Sequence, residues 1–295
     1  MLIEKICAIN LYFFSSVITT LLNKEIVYKY SFNNQYLLTL IQSLVICSII
    51  YIYSLCQYKK FKSILFFKGL KNWIKIGFLL TGMIISNMKA ITYLDVSIYT
   101  LYKNCGIILT AAFEWILFKK KISKIGFVSL FFLLITSYTV NLKTKVTNVN
   151  IQLQGYIWII FNILATTGYV ISMKSFLELK GTKTESVFFT NFLSIPLLGG
   201  LSVALEKNNV EIGFSVAVLI VLSAIFALMT AFSTAWTLKT ISTTTYSMLG
   251  ASNKLLLSAC AIFWFNEEKN VIKLLSLLIG ILSGFVYSYD SALQK

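Results

Sequence analysis

The chain has 295 residues, 57% of them hydrophobic, a formal net charge of +15 and a mean hydropathy of +0.79. Soluble domains use roughly 45–50% apolar residues, so the composition excludes one and points to an all-α membrane protein. The basic surplus is lysine alone, 26 residues with no arginine and no histidine, which excludes histidine-based catalysis and leaves lysine, a compact point charge, to build any anion site.

Ten apolar segments follow in chain order, at about 6–23, 36–57, 73–93, 96–118, 122–142, 155–177, 185–204, 213–238, 243–265 and 270–290. Each is near the ~20 residues that cross a bilayer core. The first lacks a small-residue cleavage site and is followed by more of its kind, so it reads as a helix rather than a signal peptide. It carries a polar stripe of Tyr12, Ser15, Ser16, Thr19 and Asn23. The third holds Lys89 within four residues of its end. The fourth sets Tyr99, Lys103, Thr110 and Glu114 within a narrow arc when wound at ~100° per residue. The seventh contains the only proline, Pro196, which is expected to bend it. The eighth adds Ser223, Thr230 and Thr234, and the ninth aligns Tyr246, Gly250 and Lys254 at intervals of four with Asn253 beside the last.

A charge at the membrane centre costs ~2.5–3.5 kcal/mol on insertion scales, so it needs a partner, a wet cavity or a path to the interface. Lys89 reads equally as a snorkelling residue or a ligand contact. Lys103 reads as an anion contact or as half of an ion pair with another helix; Glu114, eleven positions along the same helix, stands ~16 Å away. Lys254, beside small residues, reads as an anion contact. Gly250 either packs a neighbouring helix closely or opens room for a ligand. Tyr12 and Tyr246 are interfacial aromatics or rings that stack on a base or sugar. The five cysteines form no CxxC pair and read as small buried hydrophobes.

Between segments the polar stretches leave no room for a soluble catalytic domain. Sixteen lysines, Lys174 among them, fall on the side that holds both termini, and seven on the other, which places both termini in the cytosol. "IYTLYKNCGIILTAAFEWILF" and "TYSMLGASNKLLLSACAIFWF" align at an offset of 147, half the chain. With five spans per half, the second copy enters the membrane inverted. The expected architecture is one transmembrane domain over 1–295, made of two inverted five-helix repeats, 1–147 and 148–295.

Several stretches are similar to the nucleotide-sugar transporters, and closest to the GDP-mannose transporter family of the drug/metabolite transporter superfamily. "SSVITTLLNK" resembles that family's first helix, and "KAITYLDVSIYTLYKN" its third and fourth. The GALNK motif is matched by Gly250-Ala251-Ser252-Asn253-Lys254, and FYNN by Phe188-Phe189-Thr190-Asn191. The resemblance implies import of a GDP-sugar, GDP-mannose foremost, into the Golgi lumen in exchange for GMP. The chain would be a multi-pass Golgi membrane protein, with the endoplasmic reticulum as the alternative. By motif, Asn191 would contact the base. Tyr246, Gly250, Asn253 and Lys254 would surround the sugar-diphosphate, and Tyr12 would line the cavity; Lys103 and Lys89 join them as candidate substrate contacts on the charge argument above. The implied partners are a nucleotide sugar, a nucleoside monophosphate and membrane lipid, without nucleic acid; a homodimer stays open. No cofactor, metal or catalytic residue is implied. Thr190, Ser252 and Ala231 depart from the family pattern and weaken guanine selectivity, so a broader or UDP-sugar specificity stays open. A phosphate or triose-phosphate translocator would share the fold, and a membrane scaffold would need no buried lysines.

Overall fold

The computed structural model describes residues 2–30, 32, 34–56, 70–94, 96–119, 122–139, 149–179, 182–206, 213–264 and 271–293. All secondary structure among them is helical: α1 (Leu2–Lys29), α2 (Gln35–Cys56), α3 (Leu70–Tyr93), α4 (Val96–Phe118), α5 (Lys124–Thr139), α6 (Val149–Leu179), α7 (Lys183–Leu205), α8 (Phe214–Thr240), α9 (Thr243–Trp264) and α10 (Val271–Leu293). Each expected segment is one helix, the form in which a chain segment satisfies its own backbone hydrogen bonds. α7 runs unbroken through Pro196. Among the described residues, five helices have the length and apolarity to cross a membrane, over Ile3–Val27, Gln35–Cys56, Leu153–Glu178, Lys183–Leu205 and Phe214–Thr240. The chain is an integral membrane protein. Most loop lysines behind the orientation argument (Lys59, Lys60, Lys62, Lys68, Lys120, Lys121, Lys143, Lys145, Lys180, Lys207, Lys269 and Lys295) lie outside the described residues.

The helices gather into two compact units, each drawing on both halves of the chain. The first takes Met1–Ile6, Gly82–Lys174 and Thr240–Lys295; the second takes Cys7–Thr81 and Ser175–Lys239. In the first unit α5 packs on α10, α10 on α9, and α4 on both α9 and α5. Ile107, Leu130, Leu133, Met248, Ala251 and Tyr287 form one core, and Ala90, Leu94, Tyr99 and Ile159 another. Glycines set the closest approaches: a methyl at Gly284 would meet Ser252, and one at Gly155 would lie 2.7 Å from Leu94 Cδ2. In the second unit α2 packs on α7, and Ile26, Phe32, Leu38, Val216 and Ile220 form a core.

Large apolar side chains such as Phe14, Phe78, Phe127, Val203 and Phe214 point outward, as lipid requires. This corrects the reading of the cysteines. Cys47 is buried, whereas Cys7, Cys56 and Cys105 are exposed; on a lipid-facing surface a small apolar thiol needs no burial.

Candidate functional site

The first unit builds its polar interior from α3, α4, α6 and α9. α9 begins at Ser242, whose backbone carbonyl accepts from Tyr246 N at 3.0 Å and whose hydroxyl accepts from Thr245 N at 3.1 Å. Glu114, buried on α4, caps the same turn: its carboxylate accepts from Thr243 N at 3.1 Å, Thr244 N at 2.8 Å and the Thr244 hydroxyl. An anion at a helix N-terminus meets unpaired amides and the positive end of the dipole, so Glu114 is compensated by backbone. The preceding turn is tied from the other side. Lys174 is buried on α6, and its Nζ donates to the Ile241 carbonyl at 2.9 Å. Sequence reasoning counted Lys174 among the lysines on the side that holds both termini; the structure shows it buried, with its Nζ on the carbonyl that follows α8, where freed carbonyls and the dipole favour a cation.

Glu114 is too far along α4 to meet Lys103, and that lysine has neutral hydrogen-bond partners. Lys103 Nζ donates to Tyr99 Oη at 2.6 Å and to Asn87 Oδ1 of α3 at 2.9 Å, and the Tyr99 hydroxyl donates to the same Asn87 oxygen. Lys103 Nζ lies 5.2 Å from the Tyr99 ring centroid, and Lys254 Nζ of α9 lies 5.8 Å from that same centroid. Two ammonium groups thus meet at one tyrosine, Lys103 at its hydroxyl edge and Lys254 within reach of its ring, whose quadrupole attracts a cation over its face. Tyr246 and Gly250 are half-buried along the lysine's helix, and Asn253 is buried beside it. Lys89 is half-buried near the end of α3, and no contact described for the Tyr99 group includes it. The α4 stripe therefore divides: Tyr99 and Lys103 join the cationic group, while Thr110 pairs with Thr167 of α6 at 3.2 Å and Glu114 holds α9. Asn87 escaped the sequence reading, although an amide inside the apolar third segment was its available signal.

In the second unit, Asn191 is half-buried on α7, and its amide nitrogen donates to the Val187 carbonyl at 2.8 Å, leaving the orientation of its oxygen set by the helix. Thr190, where the family motif has asparagine, is buried with its hydroxyl donating to the Ser186 carbonyl at 2.6 Å. The preceding Phe189 stacks on the buried Trp73, centroids 5.6 Å apart. Tyr12 is buried on α1. The stripes on α1 and α8 meet each other: Ser15 and Ser233 oxygens are 3.5 Å apart, Thr19 and Thr230 oxygens 3.2 Å. Gln42 of α2 donates to Asn23 at 2.8 Å and Ser223 at 3.0 Å. These polar residues join helices, at about 0.6 kcal/mol per bond in membranes.

Apolar helices enclosing two lysines on one tyrosine define an integral membrane protein with a cationic interior site. A crystal structure in which 98% of this chain and 96% of that one superpose, with a TM-score of 0.78 and 13% identity, shows that the fold is one already seen. No family model matches the chain. The GDP-mannose transporter of Kluyveromyces lactis is 30% identical over 294 residues, 95% of this chain and 89% of that protein. That of Candida glabrata is 30% identical over 295 residues, covering 95% and 90%. GDP-mannose transporter 1 of Saccharomyces cerevisiae is 30% identical over 297 residues, covering 93% and 87%. The chain belongs to the GDP-mannose transporter family of nucleotide-sugar transporters. These relatives are transporters and not enzymes, and so is this chain.

Proposed function

We propose that the chain imports a GDP-sugar, GDP-mannose first, into the Golgi lumen in exchange for GMP. It would do so by alternating access of ten membrane-spanning helices arranged as inverted repeats 1–147 and 148–295, with both termini cytosolic. The observation that carries the reading is the Tyr99 group: Lys103 at its hydroxyl and Lys254 near its ring meet at one tyrosine, and the hydrogen-bond partners of Lys103 are neutral. A diphosphate would supply Lys103 with the opposite charge that its neutral hydrogen-bond partners do not. The inverted repeat is supported by the pairing of α2 with α7, α4 with α9 and α5 with α10, each helix with the one five places on.

In this reading Lys254 and Lys103 hold the phosphates, while Tyr246, Gly250 and Asn253 surround the sugar-diphosphate. Lys89 draws the anion in from the end of α3. Asn191 contacts the base and Tyr12 lines the cavity. Without an anion the two cations repel each other and resist closure. Nucleotide sugar and nucleoside monophosphate each neutralise them, so a full carrier moves in either direction and an empty one does not, which couples the two fluxes.

Thr190 favours a second reading at the base. Its hydroxyl is engaged by its own helix, so the position does not offer a base the amide that the family motif supplies there. A broader or UDP-sugar specificity follows if guanine recognition needs that amide. The test is uptake of a labelled nucleotide-sugar panel into proteoliposomes preloaded with GMP, UMP, CMP or AMP. Uptake driven only by GMP supports the first reading; uptake driven by UMP or by several nucleotides supports the second. Lys254→Ala should abolish exchange, and exchange at the parent rate would overturn the assigned site.

A further inference from the structure

Lys103 fixes which way the Asn87 carboxamide points. The two ends of such a group are alike in shape, so their partners decide which is oxygen and which is nitrogen. An ammonium only donates, so the atom 2.9 Å from Lys103 Nζ is the acceptor Oδ1, and the same oxygen takes the hydrogen of the Tyr99 hydroxyl. Nδ2 therefore faces away from both, and its two hydrogens go to none of the described residues. Asn87 is half-buried, and its nitrogen is not one of the enclosed polar atoms of the interior. The helix behind it is held. Asn162 of α6 donates its own Nδ2 to the Met83 carbonyl at 2.8 Å and to the Ser86 hydroxyl at 3.0 Å, on the turn of α3 that leads into Asn87. With α6 gripping that turn and α4 gripping Asn87, the two hydrogens have a set direction. Amide bond lengths put Nδ2 about 2.3 Å from its own oxygen, and so at most about 5 Å from Lys103 Nζ. Two donors that close can hold one phosphoryl oxygen between them, or two oxygens of one phosphate, at the usual ~2.7–3.2 Å.

We propose that Asn87 is a substrate-contacting residue, whose oxygen holds Lys103 and whose Nδ2 donates to the nucleotide phosphate that Lys103 meets. The proposal rests on the reading that Lys103 holds a phosphate of the substrate. A sugar hydroxyl at Nδ2 would leave the neighbouring ammonium without its counter-charge, whereas a phosphate answers both donors. A carboxamide suits the position because it adds donors without adding charge. A third cation would repel Lys103 and Lys254, and a carboxylate would pair with Lys103 and turn lone pairs toward the phosphate.

The contact is read on the amide itself. The full chain, labelled on asparagine with the NMR-active nitrogen isotope, is placed in nanodiscs. Asn87→Asp, which keeps an acceptor for Lys103, identifies the Asn87 side-chain amide by the signals it removes. GMP or GDP-mannose is then added to the parent until its melting temperature stops rising. One Asn87 amide proton should move downfield with either ligand, since both bring a phosphate and a bond to an ionised oxygen is short and strong. A residue that only ties α3 to α4 would keep its amide protons where they were. Asn87→Leu should weaken binding of both ligands by about tenfold or more; should that variant fail to fold, the amide shift in the parent still decides. An Asn87 amide that does not move at saturation, or an Asn87→Leu variant that binds like the parent, would overturn the contact and leave the transport reading standing. No rise in melting temperature with either ligand would overturn both.

Discussion

Replacing Tyr99 by phenylalanine deletes one oxygen that two groups share, since its hydroxyl accepts from Lys103 and donates to Asn87, while the ring stays beside Lys254. Bonds to a charged group contribute about 1.5–3 kcal/mol, so Tyr99→Phe should raise KM for the nucleotide sugar by roughly tenfold or more. Uptake kinetics in proteoliposomes read this, and an unchanged KM would show that the hydroxyl does not help position Lys103. Lys103→Met should be more severe, because it removes a cation that the proposed diphosphate needs. At this scale the sequence was informative where a charge interrupts an apolar run: Lys103, Glu114 and Lys254 each stood out. It was silent on partners. Helical spacing puts Tyr99 and Lys103 on one face, but nothing in it says that α3 brings Asn87 to them or that Lys174 reaches back to Ile241.

Glu114→Ala leaves the Thr243 and Thr244 amides unpaired in the interior of the first unit, at about 1–3 kcal/mol for each buried group. The melting temperature in detergent should fall by several degrees, with Glu114→Gln intermediate because it keeps one acceptor and loses the charge. A variant melting with the parent would remove Glu114 as the anchor of α9. The second unit repeats the device: Glu206, at the end of α7, accepts from Tyr36 N at 2.6 Å and Leu37 N at 2.9 Å, the opening turn of α2. Helix positions were legible because a bilayer demands runs of fixed length, and 36–57 became Gln35–Cys56. α6 starts earlier than its apolar run, since "VNIQLQ" is polar yet compatible with a helix. The caps were illegible because each carboxylate acts on a helix five places away in the chain, a distance no local periodicity encodes.

For the whole molecule, ligand binding and stability are linked: any anion that occupies the cationic site of the folded chain raises its melting temperature, by about 2.7 kcal/mol of stabilisation at a hundredfold excess over Kd. GDP-mannose and GMP should both produce the shift in the parent and neither should in Lys254→Ala; a shift that survives the substitution would place the ligand elsewhere. The offset between the fourth and ninth segments led the sequence reading to halves 1–147 and 148–295, whereas the compact units each draw on both. That assembly sets a clock on biogenesis. Glu114 and the amides it caps are 129 residues apart, which at ~5–20 residues per second of synthesis is roughly 6–26 s. Throughout that interval the nascent chain has made an acid destined for the buried interior of the first unit and has not yet made its partner, and the opening turn of α2 waits in the same way for Glu206. The newborn first half is thus an incomplete object in the bilayer, dependent on water, lipid headgroups or a chaperone until the second half arrives.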